Sequence, residues 1–201
     1  MLLPFAHKRS TILDGARAVF LKEGFDRSSM EDVARAAGVS KATLYRYFRD
    51  KEDLFATLLS TYRVNVLEGS GVQIDPGADI IQKLNIIANI YLDNLLLPAN
   101  LALFRVVVGG SLKFPAIGKL FFETNMRPTV VRLAEILQDH ATRTGGRMEN
   151  AELAATHFFG SLHASAVVPT VLGQLPPPST PERALQIRYA VEALFVHIDQ
   201  D

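Results

Sequence analysis

The chain has 201 residues, of which 48% are hydrophobic, and this is enough to build a buried core in one or two domains. It has no cysteine, which excludes disulfides and thiolate chemistry. The formal net charge is zero, but residues 1–51 carry ten Lys/Arg and six Asp/Glu, a net charge of +4, and the remainder carries −4. A basic N-terminal segment on an acidic body suits a polyanionic partner.

Helix-favouring residues and apolar spacings of three and four predict an all-α fold of about nine helices. The first helix is predicted over residues 10–23, with Gly24 as a left-handed cap. Ser28 and Glu31 have the spacing of a capping box for the second helix. Caps for the next two helices, KATLYRYF and KEDLFATLLSTYRVNVL, are predicted at Ser40 and at Asp50 with Asp53.

The rest of the chain is predicted to form a second helical region after the turn-rich segment 69–77, GSGVQIDPG. Its helices are predicted at 77–96, 98–112, 116–143, 149–172 and 181–199. Pro128 should kink or split the third of these, and Pro169 should distort the last turn of the fourth. Pro181 fits the first turn of the last helix, behind a cap at Ser179 or Thr180.

Residues 153–181 contain no Asp, Glu, Lys or Arg. A membrane span needs about 20 mostly apolar residues, but this segment includes polar groups such as His157, His163 and Ser165. We therefore expect a helix buried by other helices and no membrane partner. The start, MLLPFAHKRS, is too short and broken for a signal peptide, so a cytoplasmic protein is expected.

Two helices joined by GVS predict a helix-turn-helix. Gly38 can adopt the backbone angles of a tight turn, Val39 fills the angle between the helices, and Ser40 caps the next helix. Leu44 and Phe48 should face inward because they are four residues apart. The third helix then presents an outward set suited to the major groove: Lys41, Ala42, Thr43, Tyr45, Arg46 and Tyr47.

This outward set has the chemistry of a DNA interface. Ala42 is small enough to contact a thymine methyl, and Lys41 or Arg46 could address guanine. Hydroxyls on the same helix can reach phosphates, and Lys51 adds charge where helix amides already favour an anion. An ordinary three-helix core with a solvated charged face explains the inward residues, but not two outward tyrosines beside cations.

The segment SSMEDVARAAGVSKATLYRYFRDKEDLF, within residues 10–59, closely resembles the DNA-binding signature of TetR-family transcriptional regulators. The resemblance implies an all-helical homodimer with a helix-turn-helix DNA-binding domain at 1–51 and an effector-binding and dimerisation domain at 52–201. It implies base-facing roles for Lys41, Ala42 and Arg46. The phosphate contacts that it implies are Ser28, Ser29, Lys41, Thr43, Tyr45, Tyr47 and Lys51.

Two C-terminal stretches, LFRVVVGGSLKFPAIGKLFFE and LAEILQDHATRTGGRM, resemble the AefR-like branch of that family, which is linked to control of efflux and envelope functions. An apolar pocket with a few polar groups would suit a small-molecule effector. Arg105 is more readily interpreted as a buried ion-pair partner of Asp93 or Glu123, and His157 as an interface histidine. The candidate pocket residues are Asn85, Asn89, Phe104, Arg105, Phe121, Phe122, Asn125, His157 and Phe158.

Dimerisation is predicted through helices 151–168 and 181–199, which could form a two-fold four-helix interface. The alternative is that both apolar stripes lie in the core of one chain. The small residues proposed for the first helix are Ala154, Ala155, Gly160 and Ala164. The stripe proposed for the second is Ile187, Val191, Leu194, Phe195 and Ile198.

No enzyme, cofactor or metal site is predicted. GGS at 109–111 is not a nucleophile elbow, no phosphate loop or dinucleotide fingerprint is present, and His157 and His163 should point to different faces. We expect a homodimeric repressor on a palindromic operator, released when a small apolar ligand shifts the helix that begins near Asp50. A helical interaction module that does not bind DNA is the alternative, and charge reversal at Arg46 and Lys51 would distinguish the two.

Overall fold

The computed structural model describes residues 3–61 and 78–195, and the junction predicted at 69–77 lies outside them. Every regular element in these residues is helical. The helices are α1 (Leu3–Arg27), α2 (Met30–Ala36), α3 (Lys41–Tyr47), α4 (Lys51–Thr61), α5 (Ile80–Leu95), α6 (Pro98–Ser111), α7 (Pro115–Phe121), α8 (Arg127–Arg143), α9 (Ala151–Leu162), α10 (Val168–Val171) and α11 (Thr180–Phe195). Two π turns, Phe122–Met126 and His163–Val167, join α7 to α8 and α9 to α10, which leaves nine helical segments in the described residues and confirms the all-α prediction.

The chain forms two compact units. One, called the head below, comprises Met1–Arg63 and Ala102–Thr124, and the other, the body, comprises Val64–Leu101 and Asn125–Asp201. The head therefore includes most of α6 and all of α7 as well as the N-terminal helices. The functional division predicted at residue 51 stays a prediction.

The head is built around large apolar side chains of α1 to α4. Phe20, Phe25 and Phe55 are almost fully buried and form edge and stacked ring contacts with centroids 5.0–5.7 Å apart. Burying each such side chain contributes roughly 1.5–3 kcal/mol. Leu103, Val107 and Ile117 from the later segment complete this core.

The body has its own core, formed by apolar faces of α5, α8, α9 and α11. Phe158, Leu162 and Val167 are buried there, so one face of the uncharged segment packs in this core as predicted. Its other face includes the exposed Leu153, and residues 172–179 are not helical. Among the described residues, no single helix is long and apolar enough to cross a membrane, and only α5 and α6 taken together reach that length.

Both π turns precede a proline by two positions, at Pro128 and Pro169. A proline has no N–H to donate to the carbonyl one turn earlier, so the regular α-helical ladder cannot pass through it. A π turn is a known local solution to such a break. The predicted disturbances are therefore present, but each takes the form of a π turn and the chain remains helical on both sides.

Two predicted caps differ from the structure. Gly24 has φ 78° and ψ 168°, which favours glycine but is not the left-handed helical cap, and α1 continues beyond this break to Arg27. Ser29, and not Ser28, caps α2: its hydroxyl accepts from the Asp32 amide, and the Asp32 carboxylate accepts from the Ser29 amide. The capping box is thus one residue later than the Ser28–Glu31 spacing predicted.

Candidate DNA interface and effector region

The turn between α2 and α3 has the geometry that the sequence predicts. Gly38 has φ 62°, and the Val39 amide donates to the Ala34 carbonyl at 3.0 Å. The Val39 side chain packs against the head core. Ser40 caps α3 by accepting from the Thr43 amide at 3.1 Å. These local bonds fix where α3 begins.

The predicted division of α3 into two faces is largely confirmed. Leu44 and Phe48 are buried, with 0% and 2% of their surface exposed, whereas Lys41, Ala42 and Arg46 are exposed. Tyr45 is also exposed. Thr43 and Tyr47 are the exceptions, because both are half-buried, and Tyr47 packs against the head core.

Lys41 already has an acidic partner within the head. Its ammonium donates to Glu31 Oε1 at the surface between α2 and α3. This hydrogen bond lowers the pKa of Glu31 and raises that of Lys41. Since both side chains are more than half exposed, the pair contributes little stability.

Ser29 and Thr43 are both occupied by capping contacts. The Ser29 hydroxyl donates to the Asp32 carboxylate, and this bond lowers the pKa of Asp32. The Thr43 hydroxyl lies 2.8 Å from that of Ser40. Both groups sit at helix starts, where backbone amides favour an anion.

Ser28 and Lys51 are engaged inside the head. Ser28 is buried, and its hydroxyl donates to the Phe25 carbonyl at 2.8 Å. The Lys51 ammonium lies 2.7 Å from the Phe25 carbonyl, 2.9 Å from that of Ser28 and 3.4 Å from that of Asp26. This is a different role from the phosphate contacts predicted for these two side chains.

Four effector candidates belong to the head. The rings of Phe104 and Phe121 are in contact, with centroids 5.8 Å apart, and Phe122 is half exposed. Arg105 is exposed, so its predicted burial is wrong. It lines a groove of about 340 Å³ with Phe25 and other residues of α1 and α6.

The other candidates belong to the body, where they are dispersed. Asn85 and Asn89 donate to carbonyls one turn earlier in α5 and line a groove of about 230 Å³. Asn125 and Phe158 are buried, and His157 is exposed. Within their own units, the structure therefore brings together Asn85 with Asn89 and Phe104 with Phe121.

Sequence reasoning missed Arg183, which lines the groove beside Asn85 and Asn89. Its guanidinium pairs with Asp93 at 2.6 Å and donates to the Asn89 carbonyl. Asp93 is thus the partner of Arg183, not of Arg105 as one interpretation proposed. The contact joins residues 90 positions apart, and no local spacing could have indicated it.

A buried polar pair in the body was also missed. The Tyr91 hydroxyl lies 3.4 Å from His163 Nδ1, beside the ring of Phe159. Burial raises the pKa of Tyr91 and lowers that of His163. The spacing of Tyr91 after Ile87 indicates an inward position, but not its partner.

The helices proposed for dimerisation have a different exposed face from the one predicted. Ile187, Val191 and Leu194 are buried in the core of the body, as the alternative interpretation held. The exposed large apolar side chains among the described residues of α11 are Leu185 and Tyr189. Ala155 is likewise buried, Ala154 and Phe195 are half-buried, and Ile198 lies outside the described residues.

Helices α9 and α11 pack against each other through buried residues of the body core. Gln186 Nε2 of α11 donates to the carbonyl of Ser165, which lies in the π turn after α9. Leu153, His157 and Gly160 of α9 are exposed at spacings of four and three residues, and Ala164, four residues further on in the π turn, is exposed as well.

A tight helix-turn-helix with an exposed basic and aromatic second helix, followed by a helical body, defines a DNA-binding regulator. Residues 12–58 match the family model for bacterial regulatory proteins of the tetR family, and residues 82–197 match that for the C-terminal domain of AefR-like transcriptional repressors. The chain belongs to the TetR family of transcriptional regulators, in its AefR-like branch, and is a transcriptional regulator rather than an enzyme.

Individual relatives agree with this assignment. The transcriptional activator FasR of Mycolicibacterium smegmatis is 30% identical over 45% of this chain and 42% of its own length. The regulator AcrR of Shigella flexneri is 37% identical over 30% of this chain and 28% of its own length. The matches thus span less than half of these curated relatives.

Among solved structures, the flavonoid-responsive regulator FrrA is similar over 98% of this chain and 100% of its own, with a TM-score of 0.81 and 27% identity. A TetR-family regulator from Pseudomonas syringae matches over 94% of this chain and 95% of its own, with a TM-score of 0.76 and 26% identity.

Proposed function

We propose that this regulator is a cytoplasmic homodimeric repressor that binds a palindromic operator through α3 and leaves it when a small apolar effector binds. The observation that carries the DNA part is the exposed face of α3, where Lys41, Ala42, Tyr45 and Arg46 lie opposite the buried Leu44 and Phe48. Such a helix can enter the major groove with its N-terminal residues nearest the base edges.

Within this proposal, the α3 side chains divide by chemistry. Arg46 and Lys41 address guanine edges, and Ala42 approaches a thymine methyl. Phosphates are contacted by hydroxyls and cations around the same helix. The proposed phosphate contacts are Ser29, Lys41, Thr43, Tyr45 and Tyr47.

The dimer is proposed to form through the exposed face of α9 and α11. Tyr189 and Leu185 of α11 are 62% and 47% exposed, and Leu153 of α9 is 50% exposed. Gly160 of α9 and Ala164 of the π turn after it are small enough to let two copies of this segment approach closely, and a two-fold interface uses the same patch on both subunits. His157 lies on this face, as the interface interpretation requires.

The effector is proposed to be a small, mainly apolar molecule. The ring pair Phe104–Phe121 and the groove beside Arg105 offer such a ligand an apolar surface with a cation at its edge. Asn85 and Asn89 offer a separate, more polar groove. Relatives named for fatty acid metabolism and for a response to flavonoids suggest which compounds to test first.

Repression and release follow from the spacing of two recognition helices. They must match successive major grooves, roughly 34–36 Å apart. An effector that favours a conformation with another spacing would release the operator, and the free energy of release cannot exceed its preference for that conformation.

Capture of genomic DNA tests the proposal. Sheared fragments are bound to the purified protein and sequenced, with Arg46→Glu and Lys119→Glu as matched charge reversals, since Lys119 is also exposed but lies on α7. We expect a palindromic site with the wild type and with Lys119→Glu, and its loss with Arg46→Glu. Equal enrichment by all three proteins, or none by the wild type at low salt, would contradict the proposal.

A thermal-shift measurement tests the effector. Wild type, Arg105→Ala and Asn89→Ala are titrated with a long-chain fatty acid and with a flavonoid, and ligands that bind the folded state raise the melting temperature. We expect one of the two variants to lose the shift, which would assign the site to the head or to the body. A shift that both variants retain would contradict the proposed residues.

A further inference from the structure

Lys51 lies at the centre of a cluster that joins three parts of the head. It is the first residue of α4, and its ammonium reaches back 23 to 26 positions along the chain to residues 25–29, which include the end of α1 after the break at Gly24 and are called the α1–α2 turn below. There it contacts the carbonyls of Phe25, Asp26 and Ser28. An ammonium has three N–H donors, and the three carbonyls around the Lys51 ammonium all belong to this one turn.

The same ammonium lies over aromatic rings. It is 4.4 Å from the ring centroid of Phe25 and 5.7 Å from that of Phe114, and both distances are within the range of cation–π attraction. The rings of Phe25 and Phe114 meet edge to face, with centroids 5.1 Å apart. Phe114 comes from the loop between α6 and α7, far along the sequence.

A second lysine ties that loop to the same turn. Lys113, next to Phe114, pairs with Asp26 at 2.8 Å. Both partners are largely exposed, so this ion pair alone contributes little. It nevertheless places the loop beside the turn at a second point.

We propose that Lys51 is a positioning residue for the DNA-binding helices, held in place by Phe114, and that its ammonium binds the α1–α2 turn instead of a phosphate. The turn ends at Ser29, the cap that sets the start of α2, and α2 leads through Gly38 into α3. Fixing the turn therefore fixes the direction in which α2 and α3 leave α1. This inference rests on the proposed DNA interface, but its first test does not need DNA.

Hydrogen exchange measured by mass spectrometry is the first test. The variants are Lys51→Met, which keeps the apolar stem, Phe114→Leu, and the control Lys119→Met on α7. We expect amides of residues 25–31 to exchange roughly tenfold faster in Lys51→Met, less so in Phe114→Leu, and unchanged in the control, with body peptides as reference. The proposal would be overturned if the amides of residues 25–31 exchanged at the wild-type rate in both Lys51→Met and Phe114→Leu. If Lys51→Met does not fold, the exchange rates in Phe114→Leu alone decide the question.

The salt dependence of DNA binding gives a second readout. A phosphate contact adds about 0.9 to the slope of log K against log salt. On a duplex carrying the captured site, Lys51→Met should weaken binding but leave the slope of log K against log salt unchanged. Lys41→Met should reduce that slope. A slope reduced by about 0.9 per subunit in Lys51→Met would overturn the proposal. If the wild type bound no DNA, the interface proposal would fail while the exchange test still stood.

Discussion

Helices α3 and α11 carry similar apolar stripes, yet the sequence predicted the faces of one and not of the other. Leu44 and Phe48 of α3 are buried as expected, and the polar face is exposed. On α11, the stripe assigned to a partner is buried in the chain's own core, and Tyr189 lies outside. An apolar stripe indicates which face is covered, but not whether the cover is the same chain or a second copy.

The largest expected effect concerns the exposed face of α11. Tyr189→Glu should place a charge at the centre of the proposed dimer interface and weaken association by about 2 kcal/mol or more, roughly 30-fold. Sedimentation equilibrium measures the dissociation constant. The control is Ile81→Glu, since Ile81 is similarly exposed, at 51%, but lies on α5. A wild type that is monomeric at micromolar concentration, or a dimer that only the control disrupts, would refute this interface.

The next effect concerns the packing of α1 on the end of α2. A Cβ at Gly15 would lie 2.8–2.9 Å from backbone and side-chain atoms of Ala37, which cannot move away easily. Gly15→Ala should therefore lower the free energy of unfolding by about 1–3 kcal/mol, measured by urea denaturation.

Gly109 supplies the matched control, because it is also helical but a Cβ there meets nothing within 4 Å. Gly109→Ala should be neutral or stabilising by up to about 1 kcal/mol, since alanine favours helices. Equal effects of the two substitutions would mean that α1 and α2 are not packed as described.

The cap of α3 is expected to contribute somewhat less. Ser40→Ala removes the acceptor for the Thr43 amide and should cost about 1 kcal/mol of stability. Ser60→Ala, an exposed serine within α4 whose hydroxyl contacts only its own helix, should change stability by less than about 0.5 kcal/mol. The urea midpoints of the two variants are compared with that of the wild type. A Ser40→Ala protein as stable as the wild type would show that the cap does not stabilise the start of α3.

The smallest effect is a dependence of stability on pH that arises in the body. Burial lowers the pKa of His163, so below its ordinary value of about 6.5 the unfolded chain binds the proton more readily. Stability should thus be complete above about pH 6.5 and fall as the pH drops towards the lower, folded pKa. His163→Gln should flatten this slope between pH 5.5 and 7.5 in urea denaturation, and a slope that this substitution leaves unchanged would contradict the assignment to His163.

The local structure of the head could be predicted because it follows from backbone rules. Gly38 and Ser40 specify a turn and a helix start whatever surrounds them. At the start of α2 the same rules placed the cap one residue too early. Ser28 and Ser29 are adjacent there, and each is followed three positions later by an acidic residue. Only the burial of Ser28 distinguishes them, and burial depends on tertiary packing.

The contacts that define sites in the body and at Lys51 could not be predicted from spacing. Arg183 meets Asp93, and Lys51 meets Phe25 and Phe114, across long stretches of sequence. A lysine at the helix start after a DNA-contacting helix looks like a phosphate contact in the sequence. The sequence does not show whether its ammonium is already hydrogen-bonded within the protein. Composition identifies the class of partner, and only the fold shows which donors remain exposed to it.

The central claim is that the exposed face of α3 contacts base edges, and operator binding by Arg46→Ala tests it most directly. Fluorescence anisotropy would compare wild type, Arg46→Ala and the exposed control Arg105→Ala on the captured site and on duplexes with single base changes in each half-site. We expect Arg46→Ala to weaken binding by about 1–3 kcal/mol and to lose discrimination at one position per half-site. Unchanged affinity and unchanged discrimination in Arg46→Ala would contradict the claim.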